Sequence, residues 1–182
     1  MKVYNHKDAY EHLKYIFKTQ TEDVFAAIIS ETVVHYGEDG GFDINKALEL
    51  KLPVYNLYKK GGAMVTSPGD IVYCFFLKQN LPNLNKDLRE FIANKLNKRG
   101  IKTEITSNDL LVNDKKCFGF MKNEIGKMYF IGGHISIDCN LELIKEVCIK
   151  PMEKVPGGLS QYHITTEDVI GWLNEFWFYY KK

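Results

Sequence analysis

The sequence predicts an α+β fold in which a mixed, largely antiparallel sheet carries helices packed on it. Three observations point there. Runs rich in β-branched and aromatic residues outnumber the stretches with helical periodicity. Several of these runs are joined by links too short for a parallel crossover. No internal repeat or low-complexity linker divides the 182 residues, so a single domain over 1–182 is expected, long enough to bury a core without staples.

The elements follow in order. Asn5 is placed to cap a helix running to Lys18, with Asp8 in its first turn and Ala9, Leu13, Ile16 and Phe17 on one face. Val24–Ile29 and Thr32–Tyr36 read as strands, and Gly37–Gly41 as loop. Asp43 caps a short helix that ends before Pro53. Val54–Tyr58 is extended and broken by Gly61-Gly62, and the apolar run Ile71–Leu77 reads as a central strand. Asn85 is expected to cap a helix with Leu88, Phe91, Ile92 and Leu96 inward, stopped by Gly100. Strands are expected at Ile101–Thr106, Leu110–Val112, Cys117–Met121 and Met128–Asp138. Asn140 caps a helix carrying Leu141, Ile144 and Val147. Thr165, with Asp168 three residues on, opens a final helix whose Trp172, Phe176, Trp177 and Tyr180 fall at helical spacing and belong to the core.

Composition narrows the function. A formal net charge of +1 gives no strongly basic face, so neither nucleic acid nor an anionic membrane is an expected partner. No apolar run approaches the roughly 20 residues that span a bilayer, and Met1–His6 lacks the basic-then-apolar pattern of a secretory signal. Cys74, Cys117, Cys139 and Cys148 form no Cys-x-x-Cys pair and sit among apolar neighbours, which reads as buried free thiols in a reducing compartment and a cytoplasmic location. The five histidines show no ligand spacing, so no structural metal is expected.

Two stretches carry candidate chemistry. In "YKKGGAMVTSPGD", residues 58–70, Lys59 and Lys60 precede Gly61 and Gly62. Glycines let a backbone approach a ligand, and successive N–H groups can form an anion-binding concavity. The segment is not a Walker A sequence; spacing alone favours a plain turn over a phosphate cradle. In "SNDLLVNDKKCFGF", residues 107–120, Asn113-Asp114 fits a two-residue hairpin turn. Period-two alternation puts Lys115 and Lys116 on opposite faces, and Lys116 has the parity of Phe118 and Phe120. An ammonium there needs an anionic partner or loses its proton. Asn108 and Asp109 can supply polar contacts, and Asp109 is a candidate magnesium ligand. His134 in "IGGHISID" reads either as a hydrogen-bonded structural residue or as a catalyst.

Taken together, these stretches resemble the lipoate–protein ligase, octanoyltransferase and biotin ligase superfamily, the lipoate ligase branch most closely. "GGAMVTSPGDIVY" (61–73) is similar to that family's Gly-Gly-Ala-Val…Gly…Tyr segment. "NDLLVNDKKCFGF" (108–120) is similar to its Asn-Asp-Leu strand followed by a Lys-x-x-Gly strand, and "GGHISIDCNLELI" (132–144) to its His-Gly…Asn-x-Asp-Leu segment. "TVVHYG" (32–37) resembles the family's Thr-Val-Val-Ile-Gly strand more weakly. The resemblance implies a class II synthetase-like α/β domain. It implies that Lys116 contacts an acyl carbonyl and an adenylate phosphate, and that Gly61, Gly62 and Ala63 form the loop around them. It implies nucleotide-side roles for Asn108 and Asp109, and room for the ligand at Gly119.

Where the family has arginines before the glycine loop this chain has Lys59 and Lys60, which keep charge but lose the bidentate fork. The family's His-Gly order stands here as Gly133-His134, and its Asn beyond that strand as Asp138. Octanoyltransferases carry a nucleophilic cysteine where this chain has Met152, which disfavours an acyl-cysteine route; Cys148 is a poor substitute. The resemblance thus implies an ATP- and magnesium-dependent ligase joining lipoate, octanoate or another short acyl acid to a lysine of a lipoyl-type carrier domain. Because no counterpart of the C-terminal domain of many lipoate ligases is evident, the chain is expected either to manage only one half-reaction or to need an accessory protein as a further partner. The alternatives are an ATP-independent transferase drawing on a carrier thioester, and a non-catalytic binding module on the same fold.

Overall fold

A computed structural model describes residues 1–5, 19, 22–37, 40–56, 62–107, 109–125, 128–150 and 152–181, with backbone alone over 121–125 and at 128. Its elements are β1 (Lys2–Asn5), β2 (Val24–Ile29), β3 (Val33–Tyr36), α1 (Ile44–Glu49), β4 (Val54–Asn56), β5 (Ala63–Thr66) and β6 (Ile71–Leu77). There follow α2 (Leu84–Asn97), β7 (Thr103–Ile105), β8 (Leu110–Val112), β9 (Lys115–Ile125), β10 (Met128–Ile135), α3 (Leu141–Val147), a 3₁₀ turn (Leu159–Tyr162) and α4 (Thr166–Tyr180).

Seven strands form one sheet in the order β1-β2-β6-β10-β9-β8-β7, antiparallel except for the β1–β2 pair. Three more form a small sheet, β4-β3-β5, with β3 parallel to β4 and antiparallel to β5. The expected mixed, largely antiparallel architecture with packed helices is therefore observed.

All seven residues of β6 are buried, as an interior strand with apolar residues on both faces requires. Its Ile71, Tyr73, Phe75 and Leu77 join the main core with Leu88 and Ile92 of α2 and Trp172 and Phe176 of α4. Ring contacts of Phe176 with Phe75 and Phe91, and of Trp177 with Phe25 and Phe75, put the C-terminal aromatic set in the core as its spacing predicts. The small sheet has its own cluster, Val34 and Val65 against Ala47 of α1 and Val147 of α3.

Three caps are as expected. Asp43 accepts from Lys46 N, Asn140 from Leu143 N, and Thr165 forms a reciprocal capping box with Asp168. Two expectations need correction. Asn85 is not a cap: α2 starts two residues earlier than expected, behind Asn83, and buried Asn85 instead accepts a hydrogen bond from the Tyr73 hydroxyl at 3.1 Å. Asn5 ends a strand paired with β2, and the helix expected over 6–18 lies outside the described residues. Beyond the hairpin, β9 begins at Lys115 and runs to Ile125, longer than its apolar core suggests.

Candidate active site

The β8–β9 hairpin decides where the two adjacent lysines go. Asn113 and Asp114 take φ of 45° and 65°, the pair of left-handed conformations that a type I′ turn demands and that Asn and Asp tolerate. From there the register runs Val112↔Lys115 and Leu111↔Lys116, then jumps to Leu110↔Phe118. Cys117 is the extra residue of a β-bulge, so alternation fails there. Phe118 faces the main core, in ring contact with Tyr73. Lys116 turns to the other face, where its Cε and Nζ lie 3.5 and 3.9 Å from the position a Cβ of Gly119 would take. The expectation that Lys116 shares a face with Phe118 and Phe120 is thereby overturned, although the residue still reaches a cavity. Lys115 is exposed and Lys116 half-buried.

The Lys116 backbone, in a non-hydrogen-bonded pair with Leu111, turns away from β8. Lys116 N donates to Val155 O at 2.8 Å, and Lys116 O accepts from Gly157 N at 3.0 Å. Gly157 permits this approach, because a Cβ there would stand 2.7 Å from Lys115 Cβ.

Lys116 does find an anion. Its Nζ lies 2.8 Å from Asp109 Oδ1, and Lys154 Nζ lies 2.8 Å from Asp109 Oδ2 and 3.1 Å from Thr106 Oγ1. Two ammonium groups thus share one carboxylate, leaving one net positive charge at the cluster. Burial pushes the Asp109 carboxyl up, but the two lysine hydrogen bonds outweigh it and hold the group below the usual carboxylate range. Lys154 escaped the sequence reading because its partner is 45 positions away. Each Asp109 oxygen already holds an ammonium, and among the described residues no three His, Cys, Asp or Glu side chains converge on a metal position. Asp109 therefore does not fit a protein-built magnesium site.

Asp70 is a second residue that the sequence reading passed over. It is 1% exposed. Its Oδ1 accepts from Ile137 N at 2.7 Å and Asp138 N at 3.0 Å, and its Oδ2 accepts from Ser67 N at 2.8 Å. Oδ2 also lies 2.8 Å from His134 Nε2. His134 pairs with Gly119 across β10 and β9, and Gly133 pairs with Phe120. Gly133 has no room for a side chain: a Cβ would collide with the Gly119 carbonyl oxygen and the Tyr73 hydroxyl.

Lys116, Asp109, Lys154, Gly119, Gly133 and His134 line one cavity of about 470 Å³, within the size of small-molecule sites. Its opposite wall comes from Gly62 and from Ala63, Met64 and Val65 of β5, and Met152 and Ile144 close it. Gly62 O accepts from Gly37 N at 3.1 Å, which ties the glycine loop to the end of β3. Lys59, Lys60, Gly61 and Asn108 lie outside the described residues.

Three thiols border the cavity. Burial pushes Cys117 up to about 12 and also raises Cys139 and Cys148, the opposite of what a nucleophilic thiol needs. Cys74 and Cys117 are buried as expected, whereas Cys139 and Cys148 are only half-buried.

Solved structures share this fold. P. falciparum LipL1, in complex with lipoate, superposes with a TM-score of 0.72 at 17% identity over 97% of this chain and 61% of that one. The bi-partite lipoate protein ligase of Thermoplasma acidophilum gives 0.75 at 12% identity, over 96% of this chain and 81% of that one. A lipoate-protein ligase A bound with ATP gives 0.75 at 13% identity, over 97% and 84%. This chain spans under two thirds of the P. falciparum protein. By sequence, no curated protein matches it. The pattern of the lipoyl protein ligase A/B catalytic domain matches residues 10–175, and with that match the chain belongs to this family of ligase and transferase enzymes.

Proposed function

We propose that residues 1–182 form one catalytic domain of an ATP-dependent acyl–protein ligase acting on lipoate, octanoate or a similar short acyl acid. The observation that carries this reading is Lys116, delivered by a bulged strand to a cavity wall beside Gly119 and joined there by a second lysine.

The acid's carboxylate attacks the α-phosphate of ATP, giving an acyl-adenylate and pyrophosphate. The ε-amine of a lysine on a lipoyl-type acceptor domain then attacks the acyl carbon, forming an amide and releasing AMP. Both steps develop negative charge on phosphate and carbonyl oxygens. A preorganised ammonium stabilises such charge most where water is scarce. Asp109 holds both lysines, and an incoming phosphate competes with it for them. The Gly62–Ala63 backbone and the apolar Met64, Val65 and Ile144 flank the acyl chain. Magnesium would accompany the triphosphate and screen its charge. The raised thiols support direct amine attack over an acyl-cysteine. An accessory protein is a further proposed partner.

The test is the intact mass of an apo lipoyl-acceptor domain incubated with the protein, ATP-magnesium and lipoate, octanoate or biotin in parallel. One acid should add its acyl mass, only with ATP, and Lys116→Ala should slow the gain by about 10²–10³-fold. No gain with any acid removes the complete-ligase reading. A gain from an acyl-carrier thioester without ATP would replace it with a transferase.

A further inference from the structure

The adenylate chemistry above leaves the Asp70–His134 pair without a task. Three of the four groups around the Asp70 carboxylate are backbone N–H groups, which can only donate. The carboxylate is thus an acceptor throughout, and the fourth group, His134 Nε2, must carry a hydrogen toward it. In the neutral ring this leaves Nδ1 with a free lone pair. Among the described residues the His134 side chain has no second hydrogen-bond partner, and Nδ1 is not a buried orphan, so its lone pair opens to the cavity that the ring lines. Gly119, its cross-strand neighbour, has no side chain, and the Lys116 ammonium projects over that gap.

We propose that His134 accepts the proton of the attacking amine in the acyl-transfer step, held in its basic tautomer by Asp70 as a positioning residue. This rests on the acyl-ligase reading. A lysine amine, with an ordinary pKa of about 10.4, is almost all ammonium at neutral pH and cannot attack until it loses a proton. His134 Nδ1 takes that proton and passes it to water. The amine lone pair then forms the C–N bond while the bond between acyl carbon and phosphate oxygen breaks, and AMP leaves with that electron pair. The remaining excess proton on nitrogen goes to Nδ1 by the same path. The charged and titratable groups that line the cavity with the ring are Asp109, Lys116, Cys117, Asp138, Cys139, Cys148, Glu153 and Lys154, Asp109 being paired to both lysines, while Asp70 holds Nε2.

The experiment supplies presynthesised octanoyl-adenylate and follows transfer to an apo lipoyl domain, and separately to hydroxylamine, an amine already neutral at pH 7. His134→Gln should slow transfer to the lipoyl domain by about 10²-fold at pH 7, with the deficit shrinking as pH rises toward the lysine's own pKa. Capture by hydroxylamine should be nearly unchanged. Equal losses with both amines, or a deficit independent of pH, would overturn the proposal in favour of a purely structural histidine. A long-range ¹H–¹⁵N spectrum gives a readout independent of turnover: wild type should show protonated Nε2 and bare Nδ1. Asp70→Asn, whose amide can donate to Nε2, should move the hydrogen to Nδ1. A wild-type ring protonated on Nδ1 sinks the proposal outright. If the wild type transfers nothing from the adenylate, the acyl-ligase reading itself falls and takes this proposal with it.

Discussion

The two walls of the cavity differ in what stands behind them. Behind β9 and β10 lies the main core, with Tyr73, Phe75, Phe118 and the aromatic face of α4 packed on a seven-stranded sheet. β5 belongs to a sheet of only three short strands, backed by a cluster of four buried residues. The polar groups Lys116 and His134 stand on the first wall, whereas the second offers backbone and the apolar Ala63, Met64 and Val65. A catalytic charge must hold its place within a fraction of an ångström, and only elements locked by packing can provide that. A wall that merely encloses an acyl chain tolerates more give. The difference teaches that chemistry and chain selection are carried by separate pieces of the fold.

Three perturbations test that division, the largest first. Gly133→Ala forces a methyl group into the Gly119 carbonyl and the Tyr73 hydroxyl, inside the well-packed wall. We expect a loss of about 3 kcal/mol or more, read as a shifted urea midpoint, because backbone as well as side chains must move. An unchanged midpoint would mean that this wall is looser than its packing implies. Val147→Ala removes buried methyls from the small cluster and should cost about 2 kcal/mol. Hydrogen exchange should quicken in β3 and β5 and stay unchanged in β6 and β10. Equal quickening in both sheets would make the walls one cooperative unit.

The smallest effect concerns pH. The Asp109 carboxyl is held below its ordinary value of 3.8 in the folded chain. A group with a depressed folded pKa stabilises the fold above its unfolded value, and that contribution is lost as pH falls through the folded one. Asp109→Asn should therefore flatten the acid side of a Tm-against-pH curve from about pH 4 downward and leave its slope near neutrality alone. An acid limb as steep in the variant as in the wild type would show that the two lysines do not hold the carboxylate in solution.

Much of the frame was legible because it is written locally. Val24–Ile29, Ile71–Leu77 and Leu110–Val112 are strands at their predicted bounds, since β-branched and aromatic runs mark themselves. Asp43, Asn140 and Thr165 cap helices through bonds three residues long. The failures are failures of distance. Asn85 lost the cap to Asn83 because a tertiary bond to Tyr73 claimed its side chain. Asp70 meets His134 across 64 positions, and Lys154 meets Asp109 across 45; no pattern in one sequence reports either. Lys116 was singled out on parity, yet reaches the cavity because a bulge breaks parity.

The backbone of Lys116 also has a mechanical consequence. Its N–H and C=O point away from β8 and are bonded to Val155 and Gly157, a parallel bridge centred on Pro156. The lysine is thereby latched to a segment forty positions downstream, the same one that brings Lys154 to Asp109 and exposes Met152 and Val155 at the surface. Any push on residues 152–157, whether from an inserted residue or a molecule leaning on Val155, is felt at the ammonium through two short backbone bonds. The loop works as a lever whose short arm ends at Lys116.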